Sequence, residues 1–142
     1  MKVLATTNKG MEDVSSKEVE SLKGIKSTTK NGFILFELEK YEDVFEICYL
    51  SRSLTKIVVL LDNFSFEETP LDELKKRINN YNLKDFIEGQ RFAVQGEREG
   101  THSFNSAEIG NEISKLISSS NSTAIRDYKN PQTVFYFHII DK

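Results

Sequence analysis

Two histidines, one cysteine and two charged loops hold the side chains with which this 142-residue chain could do chemistry. His102 and His138 lie far apart, and neither has a carboxylate at metal-ligand spacing, so no metal site is expected. His138 alternates within an apolar run and reads as a packing or edge residue of a strand. The single cysteine, Cys48, excludes an internal disulfide and a cysteine-based zinc site. Within Val44-Phe45-Glu46-Ile47-Cys48 it reads as a buried structural thiol. Gly96-Glu97-Arg98-Glu99-Gly100 lacks the spacing and the following helix of a phosphate-cradling glycine loop, and there is no P-loop lysine motif. The acidic pairs Glu67-Glu68 and Asp72-Glu73 are accounted for by helix N-terminal electrostatics. No catalytic residue is assigned.

The two charged loops remain. The first, Gly96 to Ser106, links a strand to a helix and carries a glycine at each end of a charged turn. Arg98, His102 and the backbone N–H groups at the helix start could converge on an anion such as an RNA phosphate. The plainer reading is a strand–helix connection with Asn105 as a cap. The second loop is Arg126-Asp127-Tyr128-Lys129-Asn130-Pro131. Arginine and tyrosine stack on unpaired bases and lysine contacts phosphate, although such loops occur on many surfaces. Lys75-Lys76-Arg77 is a short basic run that reads as a solvated helix face.

Composition does not favour nucleic acid. The formal net charge is -3, so phosphate binding must rest on a local cluster of cations. Charged residues at 29% with mixed sign, and apolar residues at 38% in short blocks, describe a folded globular chain. No apolar run is long enough for a membrane span or a secretory signal, and a cytoplasmic protein is expected.

The elements that must position these loops follow from periodicity. Lys2 to Thr6 reads as a strand; Met11, Val14, Val19 and Leu22 recur at helical spacing up to a stop at Gly24. Ile25–Lys30 and Phe33–Leu38 flank Asn31-Gly32, the signature of a type I′ hairpin. Tyr41, Val44, Phe45, Cys48 and Tyr49 form an apolar helix face, and Ile57 to Leu61 a buried strand. The order βαββαβ is that of a ferredoxin-like domain, a four-stranded antiparallel sheet with two helices on one face, over residues 1–66. Thr69-Pro70 starts a helix expected to run to about Asn80, and Phe86-Ile87 close a short one before Gly89. Arg91 to Gln95 is a strand. Asn105-x-x-Glu108 is a capping box ahead of Ile109, Ile113, Leu116 and Ile117; Ser118 to Thr123 is a polar loop; Val134 to Ile140 is a strong strand.

Two segments in order carry a family resemblance. Arg91-Phe92-Ala93-Val94 followed by Glu97-Arg98-Glu99-Gly100-Thr101-His102-Ser103-Phe104-Asn105-Ser106 resembles the THUMP pattern of strand, basic-glycine turn, His-x-Phe-x-Ser and helix. Asp127-Tyr128-Lys129-Asn130-Pro131 leading into Val134-Phe135-Tyr136-Phe137-His138-Ile139 is similar to the family's Asp-Leu-Lys-Asn-Pro loop and following strand. The match covers roughly residues 67–142, behind a ferredoxin-like domain, which is where THUMP domains usually stand. The opening Thr6-Thr7-Asn8-Lys9-Gly10-Met11-Glu12 is similar to that of THUMP-containing RNA guanine-N2 methyltransferases, acting on tRNA or rRNA.

The fold class implied is α+β, a ferredoxin-like domain at 1–66 followed by an α/β THUMP domain at 67–142. The resemblance implies docking of a tRNA acceptor end, with rRNA as the other RNA class. Catalysis would fall to the protein's own C-terminal methyltransferase domain, which would use S-adenosylmethionine; no cofactor is expected in this segment. Arg98, His102 and Ser106 fall in the basic turn and helix start, Lys129 and Asn130 in the second loop beside Arg126. Arg98 and Lys129 are the expected phosphate contacts, while Ser106 and Asn130 hold the turns. Two other readings stay open: the same module serving a 4-thiouridine synthetase or a deaminase, and a regulatory domain that binds no RNA. The stop two residues after Ile140 reads as the end of a fragment of a longer protein.

Overall fold

The computed structural model describes residues 1–140, and the chain divides into two compact units, Met1–Asn63 and Phe64–Lys142. The division falls three residues ahead of the boundary expected from the sequence.

The first unit runs β1 (Lys2–Thr7), α1 (Glu12–Lys23), β2 (Thr28–Lys30), β3 (Phe33–Glu37), α2 (Tyr41–Leu50) and β4 (Leu54–Val59). Its sheet has the order β2-β3-β1-β4, all antiparallel, which is the ferredoxin-like arrangement. Val3 and Ala5 alternate inward on β1 and face Phe36 and Ile34 on β3. Val19 of α1 and Ile47 of α2 close over these same side chains, so both helices cover one face. Gly24, at φ 70, ends α1 in the left-handed conformation that glycine takes without a steric penalty.

Polar groups tie these elements together. Ser15 donates to the Thr7 hydroxyl (2.8 Å), which donates to the Ser53 carbonyl (3.0 Å), leaving neither buried hydroxyl unsatisfied. The Glu12 carboxylate accepts the N–H groups of Gly10 (2.8 Å) and Gly32 (2.7 Å), joining the helix start to the hairpin turn. Lys23 binds Asp43 at 2.7 Å and also Glu46, linking α1 to α2.

Three expectations need correction here. The hairpin forms, but only Gly32 of its two turn residues has positive φ, so the turn is not type I′. Tertiary contacts decide its shape: Gly32 gives its N–H to Glu12 and its carbonyl accepts from Thr7 at 2.9 Å. The inward side of α2 is Ile47, fully buried, with Val44 packed beside it; Phe45 is 71% and Tyr49 88% exposed. Cys48 is therefore an exposed thiol, not a buried one. Finally, β4 pairs only with β1 and none of its side chains is fully buried, because it is an edge strand.

The second unit runs α3 (Pro70–Arg77), a 3-10 turn (Ile78–Asn80), α4 (Lys84–Ile87), β5 (Arg91–Glu99), α5 (Ser106–Ser120), β6 (Ile125–Arg126) and β7 (Thr133–Ile140). The Thr69 hydroxyl caps α3 by accepting from Leu71 N–H at 3.4 Å, with Pro70 at the first helical position. A parallel sheet of order β6-β5-β7 forms, with β5–α5–β6 as a βαβ unit. Phe92 and Val94 of β5 pack with Ile117 of α5, Ile78, Leu83 and Ile87 into one core, and Phe135 and Phe137 of β7 pack against it.

In the first unit β2 starts later than Ile25, and β4 spans Leu54–Val59 in place of 57–61. In this second unit β5 and α5 both run past their expected ends. The expected turn at Gly96–Glu99 is strand, because β7 pairs with β5 along its whole length. Gly96 is required there: a Cβ would lie 2.4 Å from the Phe137 ring. The expected polar loop after Ile117 is still helix up to Ser120, where Ser119 and Ser120 donate their hydroxyls to the Leu116 carbonyl.

Candidate nucleic-acid interface

Strand alternation sorts the charges of Glu97-Arg98-Glu99, which look mixed in the sequence. Arg98 shares a face with Phe92, Val94 and Gly96, the face that α5 covers, and it is exposed. Glu97 and Glu99 take the opposite face beside Tyr136 and His138 of β7. Burial, with Glu97 nearby, pushes the Tyr136 phenol up to about 12. His138 Nε2 lies 3.4 Å from Glu99 Oε1, an ion-pair distance without hydrogen-bond geometry. The cation is thereby kept apart from its acidic sequence neighbours.

Beyond β5 the chain turns at Gly100, with φ 95. His102 Nε2 sits 3.0 Å from the Glu99 carbonyl and its ring stacks on Phe104 at 5.0 Å. These contacts make His102 part of the turn's framework. The start of α5 is closed by its own capping box: Asn105 Oδ1 accepts from Glu108 N–H (2.8 Å), and the Glu108 carboxylate accepts from Asn105 N–H (3.1 Å). The Glu108 carboxylate thus lies at the positive end of the helix, next to half-buried Ser106.

The second loop crosses β5 at its other end. Asp127 N–H bonds Phe92 O (2.8 Å) and Gln132 N–H bonds Arg91 O (2.8 Å). The Asp127 carboxylate accepts the N–H groups of Lys129 (2.9 Å) and Asn130 (3.1 Å), an Asx turn that leaves both side chains exposed. The Asn130 and then the Lys129 N–H hold the Asp127 carboxyl below its ordinary value, assisted by Arg91 at 3.9 Å. Arg126, on β6, reaches α5: it donates to Asn111, and its Nε (3.0 Å) and Nη2 (2.7 Å) both donate to the Tyr128 hydroxyl.

The fold therefore gathers Arg126, Lys129 and Asn130 on one ordered loop against α5. Arg98 is six strand positions from Phe92, the partner of Arg126, which is about 20 Å along β5. Ser106 stands five residues from Asn111, roughly 7–8 Å along the helix. Asn111 and Ser114 were missed from the sequence. The available signal was Ser114 itself, a serine on the buried side of a helix beside Gly110 and Ile117. Lys75 and Lys76 pair with Asp72 (3.8 Å) and Glu73 (2.6 Å), as a solvated face should. Among the described residues there is no group of three metal-ligating side chains and no helix long and apolar enough to cross a membrane.

These elements define a tandem of a ferredoxin-like unit and a parallel α/β unit with an ordered basic–aromatic loop. The THUMP domain model matches residues 68–142, just over half of the chain, and the chain belongs to the THUMP domain family. It is 33% identical over 112 residues to a tRNA (guanine(6)-N2)-methyltransferase of Methanocaldococcus jannaschii, covering 78% of this chain and 29% of that protein. The chain thus spans under a third of that relative's length. Its fold is similar to TrmN from Thermus thermophilus (TM-score 0.69, 21% identity, 99% of this chain and 42% of that one). It is also similar to a 4-thiouridine synthetase solved as an RNA complex with bound ATP (TM-score 0.60, 17% identity, 97% and 38%).

Proposed function

We propose that this chain is the RNA-docking part of a tRNA-modifying methyltransferase that acts in the cytoplasm. The observation that carries the reading is the THUMP match over residues 68–142, together with 33% identity over 112 residues to a tRNA (guanine(6)-N2)-methyltransferase. The geometry supports it through the exposed Lys129 on a loop that Asp127 holds in shape, beside Arg126 and Tyr128. Arg98 and Lys129 supply phosphate contacts; His102, Ser106 and Asn130 shape the loops that present them. S-adenosylmethionine is the methyl donor of the parent protein, held by its catalytic domain and not by residues 1–140.

With the chain's net charge at -3, attraction to RNA depends on a few local cations. In a gel shift with a tRNA acceptor minihelix at low salt, wild type binds and the Arg98→Ala/Lys129→Ala double variant binds about tenfold or more weakly, at roughly 1 kcal/mol per lost charged contact. Equal binding by the two proteins would remove this contact surface. The fold shared with a 4-thiouridine synthetase favours a second reading, in which the same module serves sulfur transfer. Nucleoside analysis of tRNA from cells lacking the parent gene separates the two: loss of N2-methylguanosine supports methylation, and loss of 4-thiouridine supports the alternative.

A further inference from the structure

The hydrogen bonds around Arg126 can be assigned donor by donor. Ser114, fully buried on α5, spends its only hydroxyl proton on the Gly110 carbonyl at 2.8 Å. In the 3.2 Å contact between Ser114 Oγ and the Tyr128 hydroxyl, the tyrosine must then be the donor. With its proton committed, the Tyr128 oxygen can only accept, and it accepts from both Nε and Nη2 of Arg126. The second proton of Nη2 goes to Asn111 Oδ1. Three of the five guanidinium protons are used, and the two on Nη1 have no partner among the described residues. The chain Arg126 → Tyr128 → Ser114 → Gly110 thus runs in one direction from an exposed cation to the backbone of a buried helix turn.

We propose that Arg126 is a pre-ordered fork that presents its Nη1 protons to an RNA phosphate, with Tyr128, Ser114 and Asn111 as its positioning residues. The inference rests on the RNA-docking reading above and names the group that does the reading. A surface arginine normally gives up rotamer freedom when it binds, and a guanidinium already held at three protons has little left to lose. Only arginine satisfies this arrangement, because lysine offers a point charge without the planar edge.

The test is equilibrium binding of the intact chain to a tRNA acceptor minihelix across a salt series, alongside melting curves for every variant. Arg126→Ala is expected to weaken binding about tenfold or more and to make the slope of log K against log[salt] shallower by roughly 0.7–0.9. Tyr128→Phe keeps the ring and the charge but removes the relay, so it is expected to weaken binding about threefold with the salt slope unchanged. Arg126→Lys should keep the slope and lose affinity. A wild type that binds while Arg126→Ala and Tyr128→Phe match it in affinity and slope overturns this inference and leaves RNA docking standing. Losses that only follow lower melting temperatures, with an unchanged slope for Arg126→Ala, also overturn it. A wild type that binds no minihelix overturns both readings.

Discussion

The two units spend their carboxylates differently. In the first, Glu12 clamps the N–H groups of Gly10 and Gly32, Glu18 those of Arg52 and Ser53, and Asp43 with Glu46 secures Lys23. Each joins one element to another. In the second, Asp127 shapes the loop carrying Lys129, while strand alternation turns Glu97 and Glu99 away from Arg98. Elsewhere in this unit acids pair with cations of their own helix, as Asp72 and Glu73 do with Lys75 and Lys76. In a chain of net charge -3, the exposure of Arg98 and Lys129 is set by local backbone geometry.

The largest expected effect probes the core of the first unit. Ile47→Ala should cost about 3 kcal/mol, since it empties a fully buried site, whereas Phe45→Ser, two residues away, should stay within about 0.5 kcal/mol. Urea denaturation of both variants checks the assignment of the α2 face, and a reversed order would restore the face read from the sequence. Gly96→Ala comes next. Its Cβ would meet the Phe137 ring at 2.4 Å, and overpacking of about 2 kcal/mol should appear in the second unit alone. Pairing it with Phe137→Leu should recover part of that loss, and a silent Gly96→Ala would break the close β5–β7 contact.

Acid should separate the units by smaller amounts. Glu12 and Asp127 both have carboxyls lowered in the fold, Glu12 first through the Gly32 N–H and Asp127 first through the Asn130 N–H. A lowered folded value contributes stability that is present above the unfolded value and lost as pH falls through the folded one. The loss should therefore begin near the ordinary value of 4.5 for Glu12 and near 3.8 for Asp127. Urea midpoints followed from pH 6 to pH 2.5, as a chosen range of roughly this window, should fall less steeply in Glu12→Gln for the first unit and in Asp127→Asn for the second. Parallel curves for variant and wild type would mean that these backbone clamps add nothing.

What could be read in advance was local. Gly24, Thr69-Pro70 and Asn105 with Glu108 each act within a turn of chain, and the structure uses all of them as stops or caps. The face of α2 was misread because apolar residues lie on both sides of it, and only the sheet decides that Ile47 goes inward. Strand β5 was cut short because Gly96–Glu99 gains its strand character from β7, a distant partner. The contacts of Tyr128 with Ser114 and of Arg126 with Asn111 were invisible for the same reason, since they form only after the chain returns past α5. The capping box was legible, and with it the Glu108 carboxylate at the start of α5.

The most direct test of RNA docking is the salt dependence of minihelix binding by the unmodified chain. With Arg98, Arg126 and Lys129 as the phosphate contacts, log K should fall linearly with log[salt] at a slope of roughly -2 to -3. Binding that stays flat across the series, or no binding at the lowest salt, would contradict it.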